Sequence, residues 1–249
     1  MLEHTSKERN TAKVLKLVKQ AFSSLEFWLH AGSLLGAVRE NGRIISRDND
    51  VDLFAWRKDM NKFKSALPRL KKPGLYVVLN EKLGRLSIDP LDNRFFPINL
   101  DFLRKDYGYA WKLNFSKRRF DIKNFLMTAL ERGVNISSIR IHADQTVATK
   151  IKDFSARLPA QVKRLITNIC WRILKALNWY EPYVFPINFF EHLRHLPFLG
   201  QQILAPSPPE EFLRYNYGDD WRIPKQWCYY VDARTAAKGK LRQRLWKKF

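Results

Sequence analysis

The sequence predicts an α/β (α+β) fold, in which a mixed β-sheet is flanked by helices. Short segments of aromatic and apolar content typical of strands alternate along the chain with longer segments in which apolar residues recur at helical spacing. Hydrophobic residues make up 45% of the 249 residues, which is enough for a substantial core without disulfide or metal staples. We therefore expect one large domain, or a catalytic core with a smaller helical addition on its C-terminal side.

The first elements follow from local sequence signals. A charged amphipathic helix is predicted within residues 1–19, where apolar residues recur between charged ones. Residues 27–30 predict a strand, and the Gly-Ser pair at 32–33 lets the backbone turn closely into a helix. After the turn signal at residues 41–42, residues 51–54 predict the next strand.

The rest of the chain predicts further elements and a division into three parts. The elements are, in order, a helix at 60–70 ended by Pro73-Gly74, strands at 75–79 and 86–88, a strand around Asp101, a strand or base-stacking loop at 107–115, a helix at 120–132 and a helix at 162–177. We expect a catalytic core at residues 1–135, a helical region at 136–232 that completes the active site, and a basic tail at 233–249.

The segment from Gly32 to Asp52 carries the strongest chemical signal. A helix that opens at a Gly-Ser turn offers free backbone N–H groups to an anion, although Ser33 alone could equally be an N-cap. Because strand side chains alternate, Asp50 and Asp52 share one face, and Asp48 joins them if the extended run begins that early. Carboxylates this close repel one another, so the sequence predicts that they share a cation.

A third carboxylate, Asp101, lies on the apolar run at residues 97–103 and is expected beside the first pair. Hard oxygen ligands suit Mg²⁺ or Mn²⁺, which could neutralise charge on a phosphate leaving group. An isolated Asp-x-Asp is usually a solvated turn, but here the Gly-Ser turn precedes the acids and a strand Asp follows them. The predicted metal ligands are therefore Asp50, Asp52 and Asp101.

These residues resemble the LicD family, which includes the fukutin-related proteins and has a nucleotidyltransferase fold. The resemblance covers residues 10–56 and a second block at 180–227, which contains Val184-Phe185-Pro186, Leu196-Pro197-Phe198-Leu199-Gly200 and a run from Glu211 to Trp221. It implies transfer of a phosphorylated alcohol, such as phosphocholine or ribitol phosphate, from a CDP-linked donor to a glycan hydroxyl.

The same resemblance implies roles for particular residues. Gly32 and Ser33 would lie at the donor phosphates, Arg39 would help to neutralise them, and Tyr217 and Asp219 would contact substrate. Asp50, Asp52 and Asp101 would hold the metal and act in catalysis together with Asp48. The general base is left open between Asp48 and Asp101. This chain departs from the family pattern at Asn49, where an acid is common, and at Ala31, where a second glycine is common.

The charge of the chain raises an alternative. A formal net charge of +21 and a pI near 10.1 attract polyanions, so nucleic acid, an anionic glycan and an anionic membrane are all candidate partners. A nucleotidyltransferase or nucleic-acid-binding protein of the same fold is therefore the second hypothesis. The second block favours the phosphotransferase, because it resembles the LicD family and not polymerases.

Localisation follows from segments outside the predicted site. The basic helix at 162–177 has the pattern of an interfacial helix, but a helix packed on its own core shows the same period. The tail after Asp232 is basic and ends in Trp246 and Phe249. The sequence contains no export signal and no segment long enough to span a bilayer. Cys170 and Cys228 are far apart in sequence and lack metal-ligand spacing, which favours a reducing compartment. We therefore expect a cytoplasmic protein that is peripheral to the inner face of a membrane.

Overall fold

The computed structural model describes residues 6–46, 48–115, 134, 138–142, 158–177, 180–224 and 239–247. Within them, a mixed sheet is flanked by helices, which confirms the predicted fold class. The described helices are α1 (Ser6–Ala21), α2 (Ala31–Arg39), α3 (Met60–Ala66), α4 (Ala160–Ala176), α5 (Pro209–Tyr217) and α6 (Gly239–Lys247). Short 3₁₀ helices occur at Arg57–Asp59, Leu67–Leu70 and Ile187–Phe190.

The described strands are β1 (Phe27–Leu29), β2 (Val51–Trp56), β3 (Leu75–Asn80), β4 (Arg85–Pro90), β5 (Ile98–Asp106), β6 (Tyr109–Phe115), β7 (Ile139–His142), β8 (Tyr180–Pro186), β9 (Leu193–Phe198) and β10 (Gln201–Pro206). Their order across the sheet is β7-β3-β4-β5-β2-β1-β10-β9, and β6 pairs with both β5 and β8. The pairs β2–β5 and β1–β10 are parallel, and the other described pairs are antiparallel.

The main core lies between this sheet and the helices that cover it. In α1, Val14, Leu15 and Val18 are buried, as the predicted amphipathic pattern requires. Strands β2 and β5 are neighbours in the interior of the sheet, and most of their apolar side chains are buried. Asp52 and Asp101 therefore lie on interior strands of the sheet.

The C-terminal region differs from the helical region predicted for residues 136–232. It contains α4 and α5, but it also contributes β7 to β10, which continue the main sheet or pair with β6. β9 and β10 form a hairpin whose two turn residues, Leu199 and Gly200, both have positive φ, +47° and +71°. A turn of this kind matches the twist of its strands, but with leucine at its first position it has a weak sequence signature.

The structure describes the segment predicted at residues 107–115 but not several other predicted segments. The segment predicted as either a strand or a base-stacking loop at 107–115 forms β6, and its Trp111 is buried. The helix predicted at 120–132, Cys228, and residues 233–238 and 248–249 of the predicted tail lie outside the described residues. In the part of the chain that the structure describes, no helix combines the length and apolar character needed to cross a bilayer.

Candidate active site

The parallel pairing of β2 with β5 brings the predicted acids to one face of the sheet. The register places Asp52 beside Asn99 and Phe54 beside Asp101. Since Asp52 and Phe54 share a face of β2, Asp101 points to the same side as Asp52, one step further along the strands. Residues about fifty positions apart in sequence are thus neighbours, as the sequence predicted.

The backbone at Asp52 is held by the segment that opens α2. The Asp52 N–H donates to Ser33 Oγ at 2.8 Å, and the Asp52 carbonyl accepts from the His30 N–H at 3.0 Å. Ser33 is buried and is not the N-cap; that position is His30, which makes no side-chain capping bond. The Ser33 hydroxyl therefore ties α2 to β2 as an acceptor, and its hydrogen can still be donated to a ligand.

Gly32 is required because the Asp48 carboxylate lies directly against its Cα. A Cβ on Gly32 would overlap Asp48 Oδ2, so no larger residue fits without displacing that side chain. The carboxylate lies against the first turn of α2, where the helix dipole is positive. The place where the sequence predicts a donor phosphate thus holds a protein carboxylate in this structure.

Ala31, immediately before Gly32, adopts φ +47° in the left-handed region that favours glycine. This is the position at which the chain departs from the second glycine common in the LicD pattern. The structure supplies a physical reason for that glycine, because it would adopt this backbone conformation without strain.

The acids on the β2 side repel one another. Burial, followed by the charges of Asp50 and Asp101, raises the pKa of Asp52 to about 8. Burial also raises the pKa of Asp48 to about 7, and a hydrogen bond to Asp50 and the charge of Asp50 add to the effect. Asp48, Asp50 and Asp52 therefore form a cluster of mutually repelling carboxylates, in which the charge of Lys112 offsets only part of the effect on Asp52.

Asn99 completes this end of the cluster and was missed by sequence reasoning. Its Nδ2 donates to Asp50 Oδ2 at 2.9 Å, and its Oδ1 accepts from Ser87 Oγ at 3.0 Å. Asn99 lies two positions before Asp101 on β5, so the alternation of strand side chains could have placed it on the same face. Its pairing with β2 could not be read from the sequence.

Asp101 is in the opposite electrostatic state, because two cations neutralise it. Arg85 on β4, its direct cross-strand neighbour, donates from Nε to Oδ1 at 2.6 Å and from Nη2 to Oδ2 at 2.9 Å. The buried ammonium group of Lys112 on β6 also donates to Oδ2. Burial alone would raise the pKa of Asp101, but Arg85 and Lys112 outweigh it and hold that pKa below its ordinary value.

The fit of this site to a divalent cation differs between its two ends. Asp48, Asp50 and Asp52 supply hard oxygen donors, and the raised pKa values of Asp48 and Asp52 show that a cation would relieve the repulsion in this cluster, so its chemistry fits Mg²⁺ or Mn²⁺. Asp101 is already paired with two protein cations. Among the described residues, no group of three or more His, Cys, Asp or Glu side chains is spaced to hold a metal ion. The assignment of Asp50, Asp52 and Asp101 as metal ligands therefore stays a prediction.

The other predicted substrate residues lie elsewhere. Arg39 is in the last turn of α2, about 10 Å along the helix axis from Gly32. Its guanidinium donates to Glu40 Oε1 at 2.7 Å and to the Trp221 carbonyl at 3.2 Å. Tyr217 ends α5, and the exposed Asp219 follows it and pairs with Arg214 at 3.4 Å. The contacts of Arg39 and Asp219 are thus with residues other than the acids of β2 and β5, and the roles of all three residues in substrate binding stay predictions.

His30 lies beside the site as part of an aromatic cluster. Its ring stacks on Phe54 with centroids 3.6 Å apart and contacts Phe185 and Phe212 edge-on. Burial, followed by the charge of Lys112, holds the pKa of His30 well below its ordinary value. His30 is therefore a neutral packing residue that keeps one side of the site dry.

Comparison with known proteins agrees with the resemblance. A family model described as LicD/FKTN/FKRP, nucleotidyltransferase domain, matches residues 24–128, which include the acids together with Arg85 and Lys112. The second block at 180–227 lies outside this match. An uncharacterized protein of Rickettsia typhi is 34% identical over 99 residues, which are 36% of this chain and 32% of that protein. The chain spans about a third of the length of that relative.

Proposed function

We propose that the LicD-type nucleotidyltransferase domain at residues 24–128 makes this protein a metal-dependent transferase. It would move a phosphorylated alcohol, such as phosphocholine or ribitol phosphate, from a CDP-linked donor to a glycan hydroxyl. The observation that carries the proposal is the charge arrangement on one sheet face. A cluster of mutually repelling carboxylates lies beside the start of α2, and the cations Arg85 and Lys112, which pair with Asp101, lie one step away.

Arg85 and Lys112 take the phosphate-binding role that the sequence suggested for Arg39. Both point to the same face as Asp52, whereas Arg39 is bonded at the far end of α2. The donor diphosphate would compete with the Asp101 carboxylate for these two cations. Arg85 can bind two oxygens at once with its planar guanidinium, and Lys112 adds a buried point charge.

Gly32 and Ser33 would supply the second part of the donor site. The absence of a side chain at Gly32 lets groups approach the first turn of α2, and Ser33 can donate its hydroxyl hydrogen. For a phosphate to use this place, the Asp48 carboxylate must move away from Gly32. Donor binding and the position of Asp48 are thus coupled in this proposal.

Asp50 and Asp52 would hold Mg²⁺ or Mn²⁺, with Asp101 as the third ligand if its cations pair with the donor instead. The metal would supply charge neutralisation for the departing CMP. Asp48 is the better general base, because its pKa of about 7 suits proton transfer near neutral pH, whereas two cations keep Asp101 ionised and weakly basic.

The test is incubation of the protein with a panel of CDP-alcohols and with CTP, in the presence of Mg²⁺ or Mn²⁺ and an acceptor glycan. Release of CMP with label transferred to the glycan would support the phosphotransferase. Release of pyrophosphate from CTP would support the alternative, nucleotidyl transfer, which the net charge of +21 favours.

Asp50→Asn and Lys112→Gln are the informative variants for this assay. Each should lower kcat/KM at least about a hundredfold, because each removes a charge that faces the reacting phosphates. Asp59→Asn is the matched control, since Asp59 lies at the start of α3 and pairs with Lys62. Full activity of the Lys112→Gln variant would remove Lys112 from the donor site.

A further inference from the structure

Helix α4 has two apolar faces, and only one of them packs on the rest of the described structure. Thr167, Trp171 and Leu174 are buried. Trp171 and Leu174 belong to a second apolar cluster, with members from β6, β8 and α6 that include Leu113, Val184 and Leu245. This inner face holds α4 against the rest of the described structure.

The outer face carries a second row of large aliphatic side chains, which we call the outer stripe. Its members are between 38% and 59% exposed: Val162, Leu165, Ile169, Ile173 and Leu177. The spacing of three or four residues keeps them in one row along the helix. At about 100° per residue, this row lies on the side of α4 nearly opposite Trp171. Soluble surfaces rarely align so many exposed aliphatic groups, so the outer stripe indicates a contact surface.

The charges of α4 flank the outer stripe. The helix carries Lys163, Arg164, Arg172 and Lys175 and no Asp or Glu. On a helical wheel, Arg172 and Lys163 border the outer stripe on its two sides, whereas Arg164 and Lys175 lie nearer to the buried Trp171. The surface is thus apolar along its centre and positive at its margins.

This combination selects one kind of partner. A second copy of the chain would bring the same cations against each other, in a protein of net charge +21. A nucleic acid would satisfy the cations but would leave the aliphatic stripe exposed to water. An anionic bilayer satisfies both, because its headgroups meet the flanking cations while the acyl boundary receives the aliphatic side chains.

We propose that α4 binds the surface of an anionic membrane, lying parallel to it, with the outer stripe inserted at the headgroup boundary. The inner face stays packed on β6 and β8, so the helix anchors the whole domain without leaving the fold. The proposal does not depend on the transferase reaction. In combination with that reaction, it would bring the active site to lipid-linked acceptors.

The experiment is flotation of the full-length protein with vesicles of phosphatidylcholine alone or with 40% phosphatidylglycerol. We expect binding to the anionic vesicles only, with a loss of at least about tenfold when NaCl is raised from 0.1 to 0.5 M. Equal binding to both kinds of vesicle, or binding to neither, would overturn the proposal.

The variant Leu165→Ser/Ile169→Ser tests the outer stripe without touching the inner face. It should weaken binding to anionic vesicles by about tenfold or more, because two exposed aliphatic groups no longer insert. Ile223→Ser is the matched control: Ile223 is 62% exposed, lies outside α4 and should not affect binding. Unchanged circular dichroism and Tm would show that both variants are folded.

Two results with the unmodified protein and the Leu165→Ser/Ile169→Ser variant would contradict the assignment of the outer stripe to a membrane surface. If Leu165→Ser/Ile169→Ser binds as tightly as the unmodified protein, the outer stripe is not the membrane surface. If the unmodified protein sediments as a dimer, fails to bind vesicles, and becomes monomeric with these substitutions, the occupant is a second copy of the chain.

Discussion

Asp52 and Asp101 share a sheet face, but their surroundings give them opposite properties. Asp52 is buried among other carboxylates, which raises its pKa to about 8, whereas Arg85 and Lys112 hold the pKa of Asp101 low. The charge of Asp52 lowers the stability of the metal-free protein, whereas the charge of Asp101 stabilises the fold through its ion pairs. Replacing each by Asn therefore separates catalytic from structural roles.

Asp52→Asn should stabilise the metal-free protein while abolishing activity. The pKa of Asp52 is about 8 when folded and 3.8 as a reference value, so between these values the folded state binds more protons. Its charge therefore lowers the free energy of unfolding progressively as the pH rises from about 4 to 8. The variant should be more stable by on the order of 1 kcal/mol or more at pH 8.5, and much less so at pH 4.5.

Urea denaturation in EDTA at the two pH values measures this difference. Asp59→Asn on the surface serves as the control for loss of an acid elsewhere. A variant that is less stable than the unmodified protein at pH 8.5 would show that the Asp52 charge is compensated in the folded state.

Asp101→Asn should behave in the opposite way. It leaves the buried ammonium of Lys112 and the guanidinium of Arg85 without their carboxylate, at a cost of about 3 kcal/mol. The double variant Asp101→Asn/Lys112→Met should recover part of the loss in urea denaturation. An Asp101→Asn variant as stable as the unmodified protein would exclude the ion pairs in solution.

At the scale of elements, the site depends on how closely α2 approaches the loop before β2. Gly32 contacts the Asp48 carboxylate, and Gly36 faces the carbonyl of Arg43, so both glycines let this loop lie against the helix. The Ser33 hydroxyl then links α2 to the backbone of Asp52 on β2. Helix α2, the loop and strand β2 are thereby held together, with the acids at the end of the loop and the start of β2.

The contact between Gly32 and Asp48 predicts energetic coupling. Gly32→Ala should destabilise the protein by about 1–3 kcal/mol, because its Cβ would overlap Asp48 Oδ2. In an Asp48→Ala background the same substitution should cost much less, since the carboxylate is gone. A double-mutant cycle by urea denaturation measures the difference.

Gly36→Ala is the comparison for this cycle, because it overlaps the backbone carbonyl of Arg43 and should not be relieved by Asp48→Ala. Additive effects of Gly32→Ala and Asp48→Ala would mean that the carboxylate does not lie against α2 in solution.

At the scale of the whole molecule, the C-terminal block is part of the sheet that carries the site. β10 pairs in parallel with β1, and β8 pairs with β6. Phe185 on β8 and Phe212 on α5 complete the aromatic cluster around His30 and Phe54. The family match at residues 24–128 therefore covers the acids but not the strands and rings that enclose them.

A chain truncated after residue 142 should consequently fail to fold, although it contains every carboxylate of the site. It would expose the β1 edge and the faces of Phe54 and Trp28 that Phe185 and Phe190 cover. Solubility, circular dichroism and a cooperative urea transition are the measurements. A chain ending at residue 224 is the control and should fold, because it retains β8 to β10 and α5. Cooperative unfolding of the shorter chain would contradict this prediction.

The sequence by itself determined the mixed α/β class, the LicD resemblance, the acids on the strands and the amphipathic pattern of the helix at 162–177. These depend on local periodicity and short motifs, which residues close in sequence specify. Only the tertiary structure decided that Asn99, Arg85 and Lys112 join the site, because strand register pairs residues far apart in the chain. It likewise decided that Arg39 bonds to the Trp221 carbonyl, and which face of α4 stays exposed, since both depend on packing that no local signal encodes.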